Sequence, residues 1–299
     1  MKKCSICCRS ALPLRYAKNI IAATIIIFAS SCEKPYIDNT DSGIIRLTFI
    51  PTGHDATRMP ISHYFTKLNV QLFDTDGNRV FDKVKTQTTD DPDFATMSLK
   101  LSPGSYTVVA VGHSSKISAT IKSPEVCQFT ASDGEKLTDT FCHVSTVTVS
   151  DASASQHTLD MYRAVAMVQF CLSDDEPPAN FAYLKFDYTG GSANFNPTTL
   201  EGITKSTQSE TRIRNSIDTY QAFTFPYLSN SGTLKMTVSA TDTDGTIIRQ
   251  RTFEAVTVTR NRITTYVGPF FADGDGEFIQ SDFGFVVHAD WDGEDFYEF

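Results

Sequence analysis

Leu68-Asn69-Val70-Gln71-Leu72-Phe73-Asp74-Thr75-Asp76-Gly77-Asn78 is the stretch whose reading decides the fold. Apolar and polar residues alternate up to Phe73 with the two-residue period of a strand, and Asp-Gly then marks a tight reversal before Val80-Phe81. The pattern returns at Leu234-Lys235-Met236-Thr237-Val238, followed by Thr241-Asp242-Thr243-Asp244-Gly245-Thr246 and Ile247-Ile248. Met97-Ser98-Leu99-Lys100-Leu101, Ser102-Pro103-Gly104-Ser105 and Tyr106 to Val111 read as another hairpin, since Pro and Gly suit a type II turn. Ala164 to Leu172 is apolar at nearly every position, as in a central strand covered on both faces. Helical periodicity is almost absent. An all-β chain of two tandem antiparallel β-sandwiches is predicted, with residues 44–160 forming the N-terminal sandwich and 161–299 the C-terminal one.

The amino terminus stands apart from this pattern. Lys2, Lys3, Arg9, Arg15 and Lys18 form a basic leader without acids, followed by the apolar run Ile20 to Ala29. That run is well short of the roughly 20 residues a spanning helix needs, and Ala29-Ser30-Ser31 precedes Cys32. Residues 1–31 therefore read as an export signal. The small residues suit either ordinary signal cleavage or cleavage before a lipid-bearing Cys32. In the second reading Cys32 is the lipid attachment point, and its acyl chains fix the protein to a membrane. Residues 32–43 are polar, contain Pro and Gly, and read as a tether.

Removing residues 1–31 takes five positive charges with it, moving the formal charge from −9 to −14. A balance this acidic argues against nucleic acid as a partner. Cys127, Cys142 and Cys171 remain besides Cys32, too few for a disulfide scaffold. Cys127 and Cys142 flank the turn-rich Ala131 to Glu135; a bridge between them and three buried thiols are both open readings.

No set of residues for chemistry assembles. A calcium loop starting at Asp74 needs Glu at its twelfth position, where Lys85 stands. Asp273-Gly274-Asp275-Gly276-Glu277 brings three carboxylates together, though a flexible acidic loop explains it as well. The six histidines are scattered, so no metal site is expected. Gly112-His113-Ser114-Ser115 lacks the elbow of a nucleophilic serine. Catalytic residues and cofactors are accordingly expected to be none. Arg46 and Arg58 read as solvent-facing residues.

The C-terminal stretch differs again. Phe283, Phe285, Val287, Ala289 and Trp291 alternate with Gly284, Val286, His288 and Asp290, leaving one face almost wholly apolar. Such a face needs cover. It is either the last strand of the second sandwich or a strand donated to a groove in another subunit.

Several segments in order resemble the FimB-type family of fimbrial anchor and minor subunits, lipoproteins of type V pili. They are Cys32-Glu33-Lys34, Leu72-Phe73-Asp74-x-Asp76-Gly77, Leu101-x-Pro103-Gly104-x-Tyr106 to Ala110, Arg163-x-x-Ala166, and Arg260-Asn261-Arg262-Ile263-Thr264-x-Tyr266-x-Gly268. The resemblance implies transthyretin-like or immunoglobulin-like sandwiches, an acylated Cys32, an outer-membrane and cell-surface location, and other fimbrial subunits as partners by strand donation. In that family, polymerising subunits lose an N-terminal strand to an arginine-specific protease, whereas anchors keep lipid and strand. Arg46 and Arg58 are the candidate cleavage points of a polymerising subunit. The function expected is a non-enzymatic fimbrial anchor or accessory subunit for pilus assembly and adhesion. The alternative is a surface glycan-binding lipoprotein.

Overall fold

The computed structural model of the chain describes residues 42–52, 59–130, 136–150, 154–272 and 291–298, all within the compact unit Asn39–Phe299. The strands of the first half are β1 (Gly43–Pro51), β2 (Lys67–Phe73), β3 (Lys85–Thr88), β4 (Thr96–Leu101), β5 (Gly104–His113), β6 (Thr120–Ser123), β7 (Val126–Gln128), β8 (Thr140–Val149) and β9 (Ala154–Arg163). Those that follow are β10 (Ala166–Leu172), β11 (Tyr183–Thr189), β12 (Asn194–Asn196), β13 (Glu201–Gly202), β14 (Gln208–Ile213), β15 (Thr219–Thr224), β16 (Ser231–Thr241), β17 (Ile247–Thr259), β18 (Ile263–Gly268) and β19 (Glu294–Glu298). Among the described residues the helical content is one 3-10 turn, Ile61–His63.

The first sandwich is one seven-stranded sheet in the order β3-β2-β5-β8-β9-β1-β4, folded at the corner where β8 meets β9 through Phe141 opposite Arg163 and Cys142 opposite Tyr162. Alternation decides which side chains turn inward. Ile45, Leu47 and Phe49 of β1 share a core with Leu68, Val70 and Leu72 of β2 and with Leu99, Val108 and Met161. The second sandwich pairs the sheet β15-β10-β18-β19 with the sheet β14-β11-β16-β17 around Phe170, Phe186, Tyr188, Met236 and Val256. Both halves repeat one arrangement. The first strand lies parallel to a late strand and antiparallel to another: β1 beside β9 and β4, β10 beside β18 and β15.

A small sheet in the order β13-β12-β7-β6 draws strands from both halves, with Cys127 opposite Phe195. The apolar core beneath it combines Phe73, Val109 and Val111 with Val165, Phe225 and Ile263. Phe195 and Phe225 stack there with ring centres 4.3 Å apart.

The Asp-x-Asp-Gly turns form as the sequence predicts. Asp74 Oδ1 accepts the N–H groups of Asp76 (2.9 Å) and Asn78 (2.8 Å), while Gly77 takes φ +79°. Asp242 does the same for Asp244 and Thr246, both at 2.9 Å, with Gly245 at φ +82°. These backbone donors hold the Asp74 carboxyl below its ordinary range. β16 and β17 pair directly across the second turn. The strand returning to β2 across the first is Lys85–Thr88, later than Val80-Phe81. β10 is central as expected and buried from Ala166 to Phe170.

The hairpin expected from Met97 to Val111 is instead an arch. β4 pairs with β1, whereas β5 pairs with β2 and β8, so Pro103 and Gly104 carry the chain from one arm of the sheet to the other. Arch and hairpin share the same alternation, since both turn Leu99, Leu101, Val108 and Ala110 into one core. The Tyr106 hydroxyl closes the arch by donating to the Ser102 carbonyl at 2.8 Å.

Candidate subunit-docking region

Arg163 ends β9 and is almost wholly buried, so its charge needs full partnership. Its Nε and one terminal nitrogen donate to the two Asp139 oxygens at 2.8 and 2.9 Å, and the other donates to Asn261 Oδ1 at 3.0 Å. The guanidinium faces two rings, with Cζ 4.6 Å from the centre of Phe141 and 3.9 Å from that of Trp291.

Asn261 sits in the β17–β18 turn at φ +58°, where Asn is better tolerated than most residues. Its N–H donates to the Val165 carbonyl, and its own carbonyl accepts from Asp292, both at 2.9 Å. The Ile263 N–H meets the Gly293 carbonyl at 3.0 Å. Arg262 donates to Asp295 at 2.8 Å, and this pairing raises the arginine further above its ordinary range. Thr265 donates to Glu294. β19 is thereby laid parallel along β18, Ile263 opposite Glu294 through Val267 opposite Glu298. Upstream, the Asp174 carboxylate accepts the Phe270 and Phe271 N–H groups at 2.6 and 2.8 Å. The chain is therefore fixed to the second sandwich both before residue 273 and from Trp291 onward.

The residues quoted from the sequence are dispersed. Arg46 is exposed in the middle of β1, opposite Ser98 on one side and Gln156 on the other. Trp291 lies against Arg163, outside any strand. Cys32, Arg58, Phe283, Phe285, Val287, Ala289 and the acidic run 273–277 lie outside the described residues. Cys127, Cys142 and Cys171 are free thiols.

His113 belongs to a structural network. Its Nδ1 accepts the Ser115 N–H at 3.2 Å, so Nε2 carries the proton and donates to Asn69 Oδ1 at 2.8 Å. Asn69 Oδ1 also accepts the Ala119 N–H at 3.0 Å. Burial, assisted by the Lys67 charge, lowers the imidazole pKa to about 3, far from the value a general base needs near neutrality.

Sequence reasoning missed β19. Glu294-Asp295-Phe296-Tyr297-Glu298 has no apolar alternation, and its pairing depends on Arg262 and Thr265 across the ladder. The signal available was the cationic Arg260-Asn261-Arg262 turn set against an acidic terminus.

Comparison with protein families matches "Mfa2: Fimbrillin-A associated anchor proteins Mfa1 and Mfa2" over residues 34–295. The chain belongs to this family. No curated protein matches it. Among solved structures, the fimbrial anchor protein Mfa2 from Porphyromonas gingivalis is similar at TM-score 0.40 and 15% identity, with 70% of this chain and 82% of that one covered. A fimbrial assembly protein from Parabacteroides distasonis is similar at TM-score 0.40 and 14% identity, covering 76% and 91%. Membership of the Mfa2 anchor family gives the chain a structural place at the cell surface, in fimbrial assembly and adhesion. The Arg163 and Asn261 motifs that carried the resemblance meet at one point of the fold, under the C-terminal strand.

Proposed function

We propose that this protein is the anchor of a fimbria: an outer-membrane lipoprotein held by acyl chains on Cys32 and joined to the adjacent subunit through the apolar stripe Phe283 to Ala289, Trp291 being seated on Arg163 of its own chain. The two sandwich domains are residues 44–163 and 164–299, the boundary falling after β9 and not at 160, because β9 runs to Arg163 and Met161 packs in the first core. The observation that carries the reading is the seat of β1. Gly43 to Thr48 pair with Leu101 to Thr96 of β4, and Ile44 to Pro51 pair with Ala154 to Met161 of β9. β1 thus has ladder partners on both sides, and Ile45, Leu47 and Phe49 are buried in the core. A strand so placed is costly to remove, as a capping subunit requires.

A non-enzymatic role fits the described residues. His143 and Ser145 are within 2.7 Å, and His143 Nδ1 bonds the Asp160 carbonyl, but they are neighbours two apart on one strand. A nucleophile also needs positioned donors for the developing oxyanion.

Mass spectrometry of the mature amino terminus tests the anchor. Acylated Cys32 supports it, whereas a chain starting after Arg46 or Arg58 makes the protein a polymerising subunit. For the strand, Phe283→Asp with Phe285→Asp is better than truncation, which would also remove β19. Loss of co-purification with fimbriae is expected, and retention refutes the donated strand.

A further inference from the structure

A cleft of about 480 Å³ opens between the first sandwich and the β14–β15 edge of the second, a size suited to a small ligand. His63, Ser114 and Asp139 line one wall; Arg212, Asn215 and Gln221 line the other. Tyr64 and Phe223, both nearly buried, add apolar surface beneath these polar groups.

Both charges in the lining are already matched. Asp139 takes two hydrogen bonds from Arg163, and Arg212 donates to Glu210 at 3.0 Å. An entering ligand meets dipoles of both senses without net charge. Hydroxyl and amide side chains each give and accept hydrogen bonds, and Gln221 retains capacity beyond the single bond it makes to Gln169. The walls are also held in place before any ligand arrives. Fully buried Glu210 accepts the Lys136 and Leu137 N–H groups, both at 3.2 Å, tying β14 to the segment that enters β8. A preformed site loses less ordering entropy on binding.

We propose that this cleft binds a neutral saccharide. An anion finds its cation engaged by Glu210, and a cation finds Asp139 engaged by Arg163. A purely apolar ligand would strand the amides and hydroxyls without partners. A sugar answers each feature: hydroxyls for the mixed donors and acceptors, and C–H faces for the apolar floor. The cleft shares Asp139 with the Arg163 network beside β19, but the proposal does not depend on the anchor reading.

The test uses the purified protein with Cys32→Ser, screened against an array of neutral glycans with sialylated glycans as the anionic comparison, and isothermal titration of any hit. Binding of a neutral glycan is expected, weakened about tenfold or more by Gln221→Leu and by His63→Ala, since tenfold corresponds to one lost polar contact. Both positions are polar and not fully buried, so an unchanged thermal midpoint will show that folding is intact. Absence of any neutral hit, binding of sialylated glycans alone, or affinity indifferent to both substitutions overturns the proposal. None of these outcomes bears on co-purification with fimbriae, which tests the anchor separately.

Discussion

Arg163 holds its guanidinium carbon 3.9 Å from the centre of the Trp291 indole, so the last cation of the first sandwich is covered by a residue from the far end of the chain. The same side chain binds Asp139 and Asn261. The corner where the halves join and the seat of the C-terminal strand therefore share one residue. Trp291→Ala removes a cation–π contact worth about 1 kcal/mol together with part of an aromatic burial. Destabilisation of about 2 kcal/mol in urea is expected, with faster amide exchange at Ile263 and Asp292, which bond across this junction. Unchanged exchange at both amides would show that Trp291 does not hold β19.

Arg163→Met should be worse. It leaves the Asp139 carboxylate without its principal partner, and breaking one side of a buried pair costs about 3 kcal/mol or more. Arg163→Lys keeps the charge but loses the planar fork that reaches Asp139 and Asn261 together, so an intermediate loss is expected. Equal unfolding midpoints for Lys and Met at this position would mean that geometry carries the whole effect.

Much of this arrangement is legible in the sequence because short-range physics writes it there. Alternation marks β1, β2, β4 and β16, and Asp74 and Asp242 announce their turns through side chains that hold the backbone two and four residues on. What stays hidden is decided by distant partners. The Pro103-Gly104 arch has a hairpin's residues, and only the positions of β1 and β2 determine which ladder each arm joins. β12 and β13 are too short for periodicity to reveal. The cleft is less visible still, because Asp139 and Gln221 become neighbours only when β8 and β15 are placed.

The His113 network gives a defined acid response. The imidazole is neutral in the fold, with a pKa of about 3 against 6.5 when exposed. The unfolded chain therefore binds the extra proton first. The contribution is complete above pH 6.5 and falls as pH drops from 6.5 towards 3, by up to about 1.4 kcal/mol per pH unit. His113→Asn should lower stability at pH 7.5 and flatten its decline between pH 6 and 4. A slope identical to that of the unmodified protein would place the proton uptake elsewhere.

Cys127 and Cys142 lie fully buried in the core beneath the small sheet, and burial pushes both thiols well above their ordinary range. Thiolate is the reactive form. Neither should react with iodoacetamide in the folded protein, and both should be labelled after unfolding without reductant. A mass two hydrogens lower, with no label at either position, would reveal a bridge formed during export.

Arg46 presents an exposed side chain, but its backbone lies between β4 and β9. A protease must hold its substrate extended and unpaired in its own cleft, so cutting after Arg46 requires β1 to leave both ladders. That opening buries no compensating surface for Ile45, Leu47 and Phe49, and its free energy should approach that of global unfolding. An arginine-specific protease should therefore leave the bond after Arg46 intact in buffer and cleave it in proportion to the unfolded fraction as urea is added, followed by mass spectrometry. Rapid cleavage after Arg46 in the absence of urea would mean that β1 exchanges out of the sheet on its own, and its place would then be open to a replacement strand, as in a polymerising subunit.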